Sequence, residues 1–184
     1  VSNACFSKWE HERHVAIQRQ KNMKRVLAML VENKPGALAR VVGLFHQRGY
    51  NIESLNVAPV DDGSYSRLTV ATRGTESAVE QIMKQINKLI DIIKVADLTE
   101  GDHHELELAL IKVSKVKDIS GMKKMIKPLN GKVLKNDEST CVISVTGTSI
   151  DINNLLKNLK KNKIIEIVRS GSIGLHESNK TLTI

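Results

Sequence analysis

The strongest constraint on this chain is that it states one pattern twice. Hydrophobic periodicity predicts strand (24–32), helix (36–48), strand (51–59), strand (65–73), helix (76–89) and strand (92–98). The same order returns as strand (105–114), helix (119–127), strand (132–137), strand (140–146), helix (149–160) and strand (163–169). Leu38, Val41, Val42 and Phe45 recur at i, i+3, i+4, i+7 and give the first helix one apolar face. Val79, Ile82, Met83, Ile86 and Leu89 do this for the second helix, and Ile152, Leu155, Leu156 and Leu159 for the fourth. Thr75 stands where an N-cap belongs, as does Thr148 or Ser149. Asp62-Gly63 is a hairpin signal, and Asn130-Gly131 marks a turn after a helix that Pro128 helps to end. Such helices need a sheet to cover. The expected fold class is therefore α+β, with two tandem ferredoxin-like βαββαβ domains, each an antiparallel sheet with helices on one face. The domains are expected at 23–100 and 101–184, joined by a polar linker at Thr99–His104. Residues 1–22 fit neither unit and read as a disordered N-terminal extension.

A chain of 184 residues with 41% hydrophobic and 3% aromatic content suits two small, aliphatic-cored domains. No apolar run approaches the roughly 20 residues that span a bilayer. Glu10 and Glu12 argue against a signal peptide. Cys5 and Cys141 are too few for a disulfide framework, and Cys141 lies in an apolar alternation suited to burial. These features point to the cytoplasm. The net charge of +8 raises the question of nucleic acid. From Met23 to Glu100 there are ten basic and nine acidic residues, and from Gly101 onward fourteen and nine. The C-terminal excess is lysine (Lys123, Lys124, Lys127, Lys157, Lys160, Lys161, Lys163), without stacking aromatics or a helix-turn-helix. It reads as a solvated face, with no nucleic-acid and no membrane partner.

Catalytic groupings are absent from the sequence pattern. Asp61-Asp62 sits at a hairpin tip, His103-His104 has no second ligand cluster, and neither cysteine has a base nearby. Gly171-Ser-Ile-Gly174 follows the last strand without a helix after it, which is not a phosphate loop. The informative stretch is residues 33–54. Pro35 and Gly36 open a helix that stops at Gly49, with Asn33 before it and Asn51 after it. A helix start leaves N–H groups unpaired and carries partial positive charge, so it can hold a carboxylate. Gly36 lets a ligand approach the main chain, and the Asn33 and Asn51 amides can accept from an ammonium group. On spacing alone, Asn33 capping the helix and Gly36 merely packing is the favoured reading.

This stretch resembles the ligand-binding loop of an ACT domain, the small amino-acid-sensing module. The longer series, through Arg48-Gly49-Tyr50-Asn51-Ile52-Glu53-Ser54, Leu55-Asn56-Val57-Ala58-Pro59, Ser66-Arg67-Leu68-Thr69, Val168-Arg169-Ser170-Gly171 and Gly174-Leu175, is similar to the regulatory small subunits of acetolactate synthase (acetohydroxyacid synthase). The resemblance runs from about Met23 to near the C-terminus. It implies an N-terminal ACT domain followed by an ACT-like domain, in a homodimer that is not itself catalytic. The implied partner is a separate catalytic (large) subunit, which the small subunit activates and makes sensitive to feedback inhibition. No cofactor is expected in this chain; thiamine diphosphate, magnesium and FAD are expected in that partner. The holoenzyme makes the first common intermediate towards valine, leucine and isoleucine. In the family, ACT domains pair side by side into an eight-stranded sheet, with a branched-chain effector, typically valine, at the protomer interface. Carried onto this sequence, the effector-binding residues are Asn33, Gly36, Ala37, Leu38, Asn51 and Ile52. The N–H groups of Gly36 to Leu38 would hold the carboxylate, Asn33 and Asn51 the polar groups, and Leu38 with Ile52 the branched side chain. Many relatives have Glu-Arg-Glu where this chain has Glu105-Leu106-Glu107, so any polar role of that arginine is missing here.

Overall fold

The computed structural model describes residues 23–60, 62–159, 163–178 and 181–182. The expected disorder of residues 1–22 and the lysines at 160 and 161 lie outside the described residues. The elements are β1 (Met23–Glu32), α1 (Ala37–Gln47), β2 (Ile52–Val60), β3 (Tyr65–Gly74), α2 (Glu76–Ile86), β4 (Ile92–Asp97), β5 (His103–Ser114), α3 (Ile119–Ile126), β6 (Lys132–Asn136), β7 (Thr140–Gly147), α4 (Ser149–Asn158), β8 (Ile164–Arg169) and β9 (Ile173–His176). They form two units. The first ends at Asp102 and takes in Ser178, Thr181 and Leu182; the second spans His103–Glu177.

In the first unit the strands lie in the order β2-β3-β1-β4, all antiparallel, as a βαββαβ repeat requires. Leu27, Met29 and Val31 of β1 meet Val41 and Phe45 of α1 and Val79, Ile82 and Ile86 of α2. The apolar stripes read from the sequence are the faces that the helices bury. Val26 and Ala28, on the other face of β1, are covered by Leu98 and Leu182. Burial on both faces is why 26–31 is an unbroken apolar run and not an alternation.

The second unit repeats the plan in the order β6-β7-β5-β8 and adds β9, which pairs with the first residues of β5. Ala109, Ile111 and Val113 pack with Met122, Ile126, Cys141, Ile143, Ile152, Leu155 and Leu159. Cys141 is buried, and burial pushes its thiol pKa up, which suits a packing role. The two sheets agree to the residue. Leu27 stands opposite Asp97 and Ala109 opposite Arg169, with a register shift at Leu30/Val31 in one unit and at Lys112/Val113 in the other.

Three expectations need correction. His103 and His104 are not linker: they open β5 and pair with His176 and Leu175. The strand β9 was not foreseen, because four residues containing Gly174 carry too little alternation to read. Finally, α1 starts at Ala37, after Gly36, and α2 ends at Ile86 and not near residue 89. Thr75 and Thr148 do cap their helices, the latter in a capping box with Asp151. Asp118 caps α3 by accepting from Gly121 N–H at 2.8 Å. Asp118→Ala should cost about 1 kcal/mol, seen as a lower denaturant midpoint at unchanged slope.

Candidate functional site

The loop between β1 and α1 is held on both sides. Asn33 N–H donates to Ser64 O at 2.9 Å, and its side-chain Nδ2 donates to Gly63 O at 2.8 Å. Asn33 therefore does not cap the helix; it ties the loop to the β2–β3 hairpin tip. That bond fixes the amide, and its Oδ1 has no partner among the described residues. Gly36 is the N-cap, at φ +87°, a left-handed backbone that disfavours any side chain. It supplies no side-chain cap.

The three N–H groups assigned to a carboxylate differ in fate. Ala37 N–H donates to Lys34 O at 3.2 Å, and the Ala37 side chain is buried in the core. Ala37 thus positions the turn and is not a free donor, a correction to its assigned role. The N–H groups of Gly36 and Leu38 have no backbone partner among the described residues, and Leu38 projects outward, 39% exposed. The second unit supplies the contrast. Lys115 N–H donates to Ser139 O as Asn33 N–H does to Ser64 O, yet there Asp118 places its own carboxylate on the helix start. One repeat closes its helix terminus and the other leaves it open.

One residue at the open terminus was missed in the sequence. Arg40, one turn into α1, gives Nε and Nη2 to Asp91 at 2.5 and 2.8 Å. Its Nη1 has no partner among the described residues and lies 3.3 Å from where a Cβ on Gly36 would stand. Asp91 is buried, its carboxyl held below the usual carboxylate range by the Arg40 guanidinium. The signal was only an i, i+4 spacing of Gly36 and Arg40; the Asp91 partner is 51 residues away. Because the Asp91 pKa is depressed on folding, its contribution is present above the unfolded value near 4 and fades as pH falls through the lower folded value. Asp91→Asn should therefore flatten the acid limb of stability against pH below about 4, measured by denaturant unfolding at stepped pH.

Asn51 and Ile52 lie elsewhere. Ile52 pairs with Thr72, which also faces Arg25 at the start of β1, whereas the Gly36 loop sits beside Glu32 and Tyr65 at the end of β1. The two groups flank opposite ends of α1, about 16 Å apart for 11 residues at 1.5 Å each. One chain does not bring the six residues together. Asn51 is exposed, its backbone O accepting from Thr72 Oγ1 at 2.7 Å, while Ile52 packs partly on the core. Among the described residues no three of His, Cys, Asp and Glu group to hold a metal, and no helix is long and apolar enough to cross a membrane.

Residues 27–94 match the family model described as the AHAS small subunit-like ACT domain, and residues 106–178 match that of the small subunit of acetolactate synthase. The acetolactate synthase isozyme 3 small subunit of Escherichia coli is 41% identical over 166 residues, covering 87% of this chain and 99% of that one. The chain belongs to the acetolactate synthase small-subunit family. The Bacillus subtilis acetolactate synthase small subunit is 39% identical over 175 residues, 88% of this chain and 99% of its own. The crystal structure of the Thermotoga maritima small subunit aligns with a TM-score of 0.76 at 31% identity, over 86% of this chain and 99% of that one. An acetolactate synthase small subunit with an ACT domain is a regulatory component, and the open terminus at Gly36 lies in that domain.

Proposed function

We propose that this chain binds and activates a thiamine-diphosphate-dependent acetolactate synthase catalytic subunit in the cytoplasm, and makes it sensitive to inhibition by a branched-chain amino acid, valine foremost. Membership of the small-subunit family supports the partner, since the relatives carry that name. Magnesium and FAD would belong to the partner with the thiamine cofactor. The observation that carries the effector reading is the asymmetry between repeats: Asp118 fills the helix terminus in the second unit, and no side chain among the described residues caps it at Gly36.

In this reading the effector carboxylate lies on the Gly36 and Leu38 N–H groups, with the free edge of Arg40 beside it. Leu38 takes the branched side chain, and Asn33 Oδ1 accepts from the ammonium. Asn51 and Ile52 come from a second copy. Two α1 helices running antiparallel across a twofold would set the Gly36 end of one against the Asn51 end of the other. Such a homodimer also pairs exposed edges of two four-stranded sheets. Binding energy released only in the inhibited arrangement would shift the holoenzyme population towards it. A small apolar pocket separates valine from alanine by about 1–3 kcal/mol.

The test is reconstitution with the cognate large subunit, followed by titration with valine, leucine and isoleucine. Activity should rise on mixing and fall on titration, and sedimentation at micromolar concentration should show a dimer. Unchanged activity in a demonstrated complex would refute the activation, and a monomer would refute the interface site. Arg40→Ala should weaken valine inhibition by about 1.5–3 kcal/mol, the range for a hydrogen bond to a charged group, read as a rightward shift of the inhibition curve.

A further inference from the structure

Each repeat places an ion pair with a buried carboxylate at the same position, the arginine being buried in the first unit and exposed in the second, and the two pairs have opposite polarity. In the first unit Arg25 of β1 reaches Asp97 of β4 at 3.4 Å, and both are buried. In the second, Arg169 of β8 gives Nε and Nη2 to Glu107 of β5 at 2.6 and 2.7 Å. The positions correspond. Arg25 lies two residues before Leu27, which faces Asp97, and Glu107 lies two before Ala109, which faces Arg169. The central strand carries the cation in one unit and the anion in the other.

Both pairs are embedded in local hydrogen bonds. Asp97 accepts from Thr99 N–H at 2.8 Å and from the Thr99 hydroxyl. Glu107 accepts from Ser149 Oγ at 2.9 Å, and Arg169 Nη1 donates to Asn153 Oδ1 at 2.8 Å. The first pair is the poorer one: Arg25 Nε is buried without a hydrogen-bond partner among the described residues. A site selected only for stability would not leave a buried donor unpaired.

The chain order creates the problem that this polarity answers. The repeats share strand pattern and register, down to the bulge, so β4 could lie on β5, and β1 on β8, with apolar faces still matched. Only Leu98–Asp102 separates β4 from β5, whereas β1 is most of a domain away from β4. Short connections close first, and tandem repeats misassemble through such exchanges. In the exchanged register β4 would bring Asp97 against Glu107, and β8 would bring Arg169 against Arg25. Two buried carboxylates would then meet without counter-charge, and Arg169 would face the buried Arg25.

We infer that the reversed ion pairs are a pairing code that keeps β4 with β1 and β8 with β5, excluding exchange of edge strands between the two repeats and between copies of the chain. The cost is the imperfect Arg25 site; the gain is rejection of the wrong partner.

The test is a charge-reversal cycle on the full chain, refolded from denaturant at fixed concentration, with the yield of soluble native protein measured by size exclusion and circular dichroism. R25E/D97R gives both repeats one polarity, as does E107R/R169E, while the quadruple variant restores opposition with every local contact reversed. Each double variant should refold with a several-fold lower yield than the parent, the loss appearing as soluble oligomer or aggregate. The quadruple should recover yield over both doubles, although it carries twice the local damage. A quadruple no better than the doubles, or doubles equal to the parent, would overturn the inference. R25Q/D97N removes one pair without matching polarity and should fall between the parent and R25E/D97R. Equal loss in R25Q/D97N and R25E/D97R would show that the missing native pair is the cause, and would also overturn it.

Discussion

Gly36→Asp is expected to abolish inhibition by valine while leaving activation of the catalytic subunit largely intact. Three effects act together. At φ +87° any side chain strains the backbone by about 1–2 kcal/mol, although aspartate tolerates this region better than most residues. The new Cβ would stand 3.3 Å from Arg40 Nη1, so the carboxylate would engage the guanidinium edge left free by Asp91. It would also sit on the helix start as Asp118 does in the second unit, turning an open terminus into a self-capped one. The effector carboxylate would then meet a fixed negative charge where it needs donors. Gly36→Ala separates charge from strain: it should shift the inhibition curve moderately, and the aspartate should eliminate inhibition within the accessible range. If Gly36→Asp, reconstituted with the large subunit, stays as sensitive as the parent, the effector does not use this loop. The loop and the activating surface would then need to be sought separately.

The legible parts of this protein were those governed by local rules. The stripes in α1, α2 and α4, the Thr75 and Thr148 caps and the Asp62-Gly63 turn each depend on residues within one or two turns, and all were visible as spacing. The order β2-β3-β1-β4 then follows from the βαββαβ pattern. Gly36 was legible as the start of α1, while its ligand role came only from the resemblance. Arg40 was not, because its meaning depends on Asp91, distant in sequence and carried by the turn before β4. The tether made by Asn33 was not read: its amide serves the hairpin at Gly63, a contact that no local spacing encodes. Asn51 and Ile52 were joined to Gly36 only by resemblance, and within one chain they stand at the far end of α1. The pairing of β9 with β5 was invisible for a related reason: its register depends on His103 and His104, residues that looked like linker.

Phe45→Ala and Leu38→Ala should separate what holds α1 from what α1 presents. Phe45 and Leu38 lie on the same apolar stripe, seven residues apart, and sequence spacing treats them alike. The structure does not. Phe45 is fully buried against Leu27, Met29 and Val79 in the first core, while Leu38 is 39% exposed at the open end of the helix. Phe45→Ala removes a fully buried ring and should cost about 3–5 kcal/mol through lost transfer energy and the cavity left behind, lowering the unfolding midpoint of the first unit sharply. With native stability in the range of about 5–15 kcal/mol, that loss threatens the domain itself, and any effector defect would follow from unfolding. Leu38→Ala removes side chain that is already partly in water, so its stability cost should stay below that of a core leucine, under about 2 kcal/mol. Its effect should fall on the effector, with valine losing affinity and discrimination against alanine shrinking, because the lost contact is one that only a branched side chain makes. Denaturant unfolding of both variants, set beside inhibition curves with valine and alanine for each, checks this. The arrangement is wrong if Leu38→Ala loses stability as Phe45→Ala does, since Leu38 would then be core. It is equally wrong if Leu38→Ala keeps full selectivity for valine, since the end of the stripe that faces solvent would then have no ligand to meet.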